Sequence, residues 1–258
     1  VKKMDFGTVK EIKREVIDTI NLKPTNGIPI ALVHIMQHDH IERIAGVNSG
    51  DYVKNPEKVY LQCQKAIGAD FIDQYIPTNP LTMESHGFEN KEHGATTGAE
   101  SIVCDGILID SPEAVVEHME TVIFPKLKSG ISEFNEQQYC KQILENELKI
   151  QREFGTDILK TGYGFAAFPC FAYGTYGYVN YFMAYALYPE VMEKHFSLQA
   201  DFALVKNKAA ALAYKGGELP PLYRLDHDMA DSRGTLVNIT TLDKIWLPHF
   251  IRCIEPLV

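Results

Sequence analysis

Side chains able to do chemistry gather in three places along this chain. The first is His34-Ile-Met-Gln-His-Asp-His40, where His34, Gln37, His38, Asp39 and His40 crowd together. The second is Asp73-Gln74-Tyr75, and the third is Asp226-His227-Asp228. Carboxylates and imidazoles hold metals, move protons and anchor cationic groups. Asp73 stands among Phe71, Ile72 and Ile76. A carboxylate buried among apolar neighbours is costly unless it has a partner or a task, such as anchoring a cationic group or positioning a proton. Asp226 follows Leu222 and Leu225 and invites the same argument. For any one of these residues a helix cap or a solvated loop is the commoner role. Three clusters at equivalent places weigh more than one.

The places are equivalent because each cluster ends a short apolar run. Residues 28–35, 69–76 and 220–225 read as strands of the kind buried on both faces of a parallel sheet. A further run at 158–167 leads into Gly162-Tyr-Gly-Phe-Ala-Ala-Phe-Pro169. Its aromatics, with Phe168 and Tyr173 facing a ligand, suit a pocket wall or plain core. Between the runs the spacing predicts helices. Phe6, Val9, Ile12, Val16 and Ile20 recur at three- and four-residue steps, giving an amphipathic helix over 5–22. A helix over 55–67 has Pro56 in its first turn and Gly68 past its end. Ser111-Pro112 opens another, with Ser111 as N-cap. Others are expected at 136–154, 176–188, 189–214 and 242–257, and residues 79–110 read as an irregular excursion holding a hairpin or short strands.

Strands alternating with helices imply parallel βαβ units. The expected fold is therefore α/β, a (β/α)8 barrel in a single domain over 1–258, with the barrel starting near residue 28. Catalytic groups of such folds sit at the carboxyl ends of the strands, where the three clusters fall. Four strand–helix units are half of an eight-stranded barrel, so the chain is expected to stop with the barrel incomplete.

Composition excludes several classes. A net charge of −9 with 25 Lys and Arg against 34 Asp and Glu argues against a nucleic-acid surface or a polybasic membrane anchor. The five cysteines are scattered and form no CxxC or HxC pair, so a reducing, cytoplasmic setting is expected and a disulfide framework is not. No apolar run approaches the roughly 18 residues of a membrane span, and the first residues lack the order of a signal peptide. There is no Walker loop, no G-x-G-x-x-G after a strand and no G-x-S-x-G elbow. His38-Asp39-His40 matches the H-x-H of metal-dependent hydrolase barrels, provided both imidazoles project from one strand face.

Several segments resemble the uroporphyrinogen decarboxylase-like superfamily. Gly164-Phe-Ala-Ala-Phe-Pro169 is similar to the family's G-F-A-G-x-P segment at the third strand. Tyr185-Ala-Leu-Tyr-Pro-Glu-Val-Met-Glu-Lys194, Asp226-His-Asp-Met-Ala230 and Thr241-Leu-Asp-Lys-Ile-Trp-Leu-Pro248 resemble later family segments, and Gly68-Ala-Asp-Phe-Ile72 its second strand. The order covers nearly the whole chain. The resemblance implies a (β/α)8 barrel with its site in the mouth. The departures argue against a true decarboxylase. The Arg-rich loop that holds porphyrinogen carboxylates is missing, with no Arg before Arg43 in the matching region. The catalytic aspartate of the family aligns with Tyr75, and Asp73 lies two residues earlier on the same strand face. Its catalytic tyrosine aligns with Thr175, with Tyr173 and Tyr176 nearby.

The other large branch, the cobamide-dependent methyltransferases, also lacks the Arg loop. The resemblance to it implies methyl transfer between a corrinoid protein and a small acceptor. Its zinc, held by an H-x-C pair and a later Cys, would have ligands beyond Val258. The expected site has Asp73, Tyr75, Asp226 and Asp228 as catalytic groups, with His34, His38, Phe168, Tyr173 and His227 against substrate. Decarboxylation of uroporphyrinogen or another acid on the same fold, and a non-catalytic ligand-binding barrel, are the alternatives.

Overall fold

The computed structural model describes residues 13–31, 35–78 and 102–258. In chain order the elements are α1 (Arg14–Ile20), α2 (His38–Ala45), α3 (Asp51–Lys54), α4 (Pro56–Ile67), β1 (Phe71–Ile72), β2 (Val103–Cys104) and β3 (Ile107–Leu108). Next come α5 (Pro112–His118), a π turn at Met119–Ile123, α6 (Phe124–Ser132), α7 (Glu136–Phe154), β4 (Leu159–Lys160), α8 (Tyr173–Tyr176), α9 (Tyr178–Leu187) and α10 (Pro189–Gly217). The last are β5 (Ala230–Asp231), β6 (Gly234–Thr235), α11 (Ile239–Ile245) and α12 (Leu247–Ile254). The chain is thus mainly helical with few strands, and no closed barrel forms among the described residues. It divides into two compact units, one built from Val1–Asn90, Cys140–Phe165 and Leu212–Leu225, the other from Lys91–Tyr139, Ala166–Ala211 and Asp226–Val258.

In the first unit the apolar runs lie side by side in chain order. The Asp70 N–H donates to Ile30 O at 2.7 Å, and the Asp70 carboxylate accepts from Ile30 N–H and Lys13 Nζ, both at 2.9 Å. Lys13 holds the Asp70 carboxyl below its ordinary range. β1 pairs in parallel with β4, Phe71 opposite Leu159 and Ile72 opposite Lys160. Gly162 forms a parallel bridge with Tyr223, donating to Leu222 O and accepting from Arg224 N–H, each at 3.0 Å. Among the described residues, the runs expected as strands of six to ten residues therefore pair over shorter stretches. Residues 28–31 and 222–224 keep neighbouring backbone bonds without forming a full ladder.

Alternation along β1 and β4 separates two faces. Phe71 and Leu159 pack against Val16, Ile17 and Ile20 of α1. Ile72 and Ile158 pack the other way, on Phe154, Leu61 and Ile150 of the flanking helices. A further cluster of Ile41, Tyr52, Val59, Tyr60 and Cys63 joins α2, α3 and α4. Gly162 is glycine for a reason of space, since a Cβ there would run into the Tyr214 and Tyr223 rings.

The second unit carries the larger apolar cluster, centred on Phe171, Tyr176, Tyr181, Met192, Phe196 and Trp246. β2 and β3 form an antiparallel hairpin whose turn places Asp105 and Gly106 at φ 49° and 85°, the left-handed pair that a tight hairpin turn requires. Ser111 caps α5 as expected, its hydroxyl accepting from Ala114 N–H at 3.2 Å. Two amide side chains of α10 grip the loop that follows β4. Asn207 accepts from Ala167 N–H and donates to Ala167 O, both at 2.8 Å. Gln199 accepts from Cys170 N–H at 2.9 Å and donates to Cys170 O at 3.1 Å.

His195 is buried on the same helix, and burial pushes its imidazole down to about 4 from 6.5. Below pH 6.5 the unfolded chain takes up a proton that the folded chain refuses. Stability is therefore lost as pH falls from about 6.5 towards 4, by on the order of 3 kcal/mol for this group. Urea unfolding at pH 7 and pH 4.5 should show a much smaller acid loss in His195→Phe than in the wild type. An equal loss in both would assign the acid sensitivity elsewhere.

Candidate functional site

The carboxyl ends of the first unit's parallel segments bring polar side chains together. Asp73, just past β1, accepts from Arg224 Nη1 at 3.3 Å, and both side chains are partly exposed, at 21% and 28%. The other Asp73 oxygen accepts from the Gln74 N–H. The Gln74 amide donates to the Tyr163 hydroxyl at 2.8 Å. Thr161 N–H donates to Ile72 O at 3.0 Å, which sets Thr161 beside Asp73. Thr161 is wholly buried, and its hydroxyl meets no hydrogen-bond partner.

Beneath this rim lies a buried ion pair. Lys160 Nζ is 3.3 Å from Glu147 Oε2, with side chains 4% and 2% exposed. Tyr214 OH donates to the same oxygen at 3.0 Å. Burial lowers the Lys160 ammonium and raises the Glu147 carboxyl, in each case against the attraction of the partner. Asp73 lies close enough to add to the attraction on Lys160.

Of the other expected residues, His34 lies outside the described ones. His38 opens α2, its ring 4.5 Å from that of Tyr52. His40 is exposed beside Asp39. Residues two apart on a helix point to different sides, so the one-face H-x-H geometry of a strand is not formed. Tyr75 packs edge-on against Phe154 at 4.9 Å and Tyr60 at 5.9 Å, and burial raises its phenol above the ordinary range.

Asp226, His227, Asp228, Phe168 and Tyr173 belong to the second unit. His227 Nε2 accepts from Phe171 N–H at 2.8 Å, which assigns its proton to Nδ1 in the neutral ring. Burial lowers its imidazole, favouring that neutral form. The Phe171, Tyr173 and Phe168 rings lie 5.4, 6.2 and 6.4 Å from it. Tyr173 OH reaches Asp228 O at 3.3 Å. Asp226 and Asp228 are both exposed, so the burial argued for Asp226 from its apolar neighbours fails. Leu222 and Leu225 are themselves only half-buried, and the chain has left the covered segment by Asp226.

Sequence reasoning does not single out Arg224 or Thr161. A charged residue inside the apolar run 220–225 is the available signal for Arg224; Thr161 carries none. Among the described residues no group of three His, Cys, Asp or Glu side chains could hold a metal ion. Burial pushes the Cys63, Cys170 and Cys253 thiols up to about 11. No family model, curated protein or solved structure matches the chain.

Proposed function

We propose that this chain is an enzyme of the uroporphyrinogen decarboxylase-like superfamily, on the methyltransferase branch, acting on a small molecule with a corrinoid-bearing protein as methyl carrier. One observation carries the reading. Four segments neighbour one another in chain order, as barrel strands do, and Asp73 lies past the carboxyl end of the second. In this reading the domain is one (β/α)8 barrel and the rim of the first unit is part of its mouth. Arg224 orients the Asp73 carboxylate. Asp73 holds a cationic group or a proton of the substrate, and Tyr163, fixed by Gln74, presents its hydroxyl beside them. No step is routed through zinc.

A second reading is decarboxylation of an acid smaller than a porphyrinogen. Methyl transfer from a methylated corrinoid protein, followed optically, separates the two. Asp73→Asn should lower turnover by about a hundredfold or more. The fold should be nearly unchanged, because a part-exposed ion pair contributes only about 0–1 kcal/mol. Wild-type turnover in that variant would remove Asp73 from the mechanism.

A further inference from the structure

We propose that the outer face of α9 is the contact between two copies of this chain, paired about a two-fold axis with their α9 helices antiparallel. The inference does not depend on the functional reading above. It starts from a helix that is apolar on every side. Within α9, Asn180 is the one side chain that is neither apolar nor aromatic, and its amide donates to Ile109 O at 3.0 Å. Tyr181, Ala184 and Tyr185 are buried in the larger cluster of the second unit. Val179, Met183 and Leu187 lie on the opposite side of the helix and are 71%, 45% and 58% exposed. A helix that is apolar all round is ordinarily covered all round. This one is covered on one side.

Size, charge and shape point to a second copy as the cover. The bond from Asn180 to Ile109 sets the β2–β3 hairpin beside the first turn of α9. Val103 and Leu108 face each other across that hairpin, and both are exposed. Together with Tyr178 and the α9 ridge they offer about 500 Å² of apolar surface, the apolar share of a standard interface of about 800 Å² per partner. No Asp, Glu, Lys, Arg or His lies between Lys160 and Glu190. Two copies of a chain with net charge −9 repel on most approaches, and on this one α9 sets no like charges together. A basic partner gains no charge complement here. The ridge is also its own complement. Val179, Met183 and Leu187 recur at four-residue steps, spanning about 12 Å. With the axis at Met183, that side chain meets the second copy's Met183, and Val179 meets the second copy's Leu187, as the ridges of both helices interlock.

Sedimentation velocity of the whole chain up to about 100 µM should show a monomer–dimer equilibrium. Met183→Glu and Met183→Lys should each raise the dissociation constant at least about a hundredfold, because each sets two like charges face to face at the axis. An equimolar mixture of the two variants should recover the dimer, since opposite charges then meet. A general loss of folding cannot produce that recovery. Leu212→Glu on α10, at a side chain 52% exposed, should leave the dimer unchanged. Should the Met183 variants not fold, Val179→Lys and Leu187→Glu take their place. Each alone should break the dimer, and both in one chain should restore it. A wild type that stays monomeric, undiminished dimerisation in Met183→Glu, an equal loss in Leu212→Glu, or no recovery on mixing folded variants would each overturn the proposal. A monomeric wild type that sediments with phosphatidylcholine vesicles would give the face to a lipid surface instead.

Discussion

Replacing Lys160 by methionine is expected to destabilise the protein by roughly 3–5 kcal/mol in urea unfolding at pH 7, the cost of leaving a buried charge without its partner. The stranded group is Glu147, on α7, which is 2% exposed beside a lysine that is 4% exposed. Glu147 Oε2 would keep the Tyr214 hydroxyl, and its other oxygen has no partner to begin with. Methionine restores the volume of the lysine stem, so a cavity contributes little to the loss. Lowering the pH should shrink the penalty, because burial already raises the Glu147 carboxyl and a protonated Glu147 no longer needs a cation. The double replacement Lys160→Met with Glu147→Leu should recover most of the stability, as removal of both members of a buried pair often does. A loss below about 1 kcal/mol in the single variant would mean that the carboxylate finds water or another cation.

Asn207→Leu should cost about as much, by a different route. Asn207 is fully buried and serves three backbone groups: Ala167 N–H and Ala167 O, both at 2.8 Å, and Cys253 O at 2.6 Å. Each buried backbone group left unsatisfied costs about 1–3 kcal/mol, and the sum is tempered by relaxation, so roughly 3–5 kcal/mol is expected. Asn207→Asp distinguishes the donors from the acceptor. It keeps the bond from Ala167 N–H but turns a carboxylate oxygen towards two carbonyls, and it should be no better than leucine. Hydrogen exchange at the Ala167 amide reads the effect locally. Unchanged protection there would show that the amide is not what holds the loop.

Helices were legible wherever caps and periodicity agreed. Residues 55–67 and 136–154 match α4 and α7 within a residue, because Pro56 and Gly68 punctuate one and apolar spacing runs the length of the other. The helix expected over 5–22 is present at Arg14–Ile20, and its earlier part lies outside the described residues. The last helix, expected over 242–257, is three short pieces interrupted at Trp246 and Glu255; Pro248 and Pro256 each sit in the first turn of a piece. Strands were less legible. A continuous apolar run says that a segment is covered, and it does not say how much of it pairs. The site was legible by element and not by partner. Asp73 was chosen because its neighbours are apolar, yet Arg224, 151 positions away, is beyond any local pattern. The same local argument misplaced Asp226, since apolar residues before a turn need not cover the residues after it.

The spacing of the two gripping amides has a metrical consequence. Asn207 and Gln199 stand eight positions apart on α10, a rise of about 12 Å along its axis. Their targets, Ala167 and Cys170, are three positions apart, and extended chain spans at most about 10 Å over that distance. The two amides therefore lean towards each other to reach it, and the loop runs antiparallel to the helix that holds it. Taking out one residue between Ala167 and Cys170 would leave it too short for both grips at once. Adding one would let it bow away between them. Substitutions that keep the backbone, by contrast, leave the gauge unchanged, and what Phe168 adds is packing against His227 and Phe250.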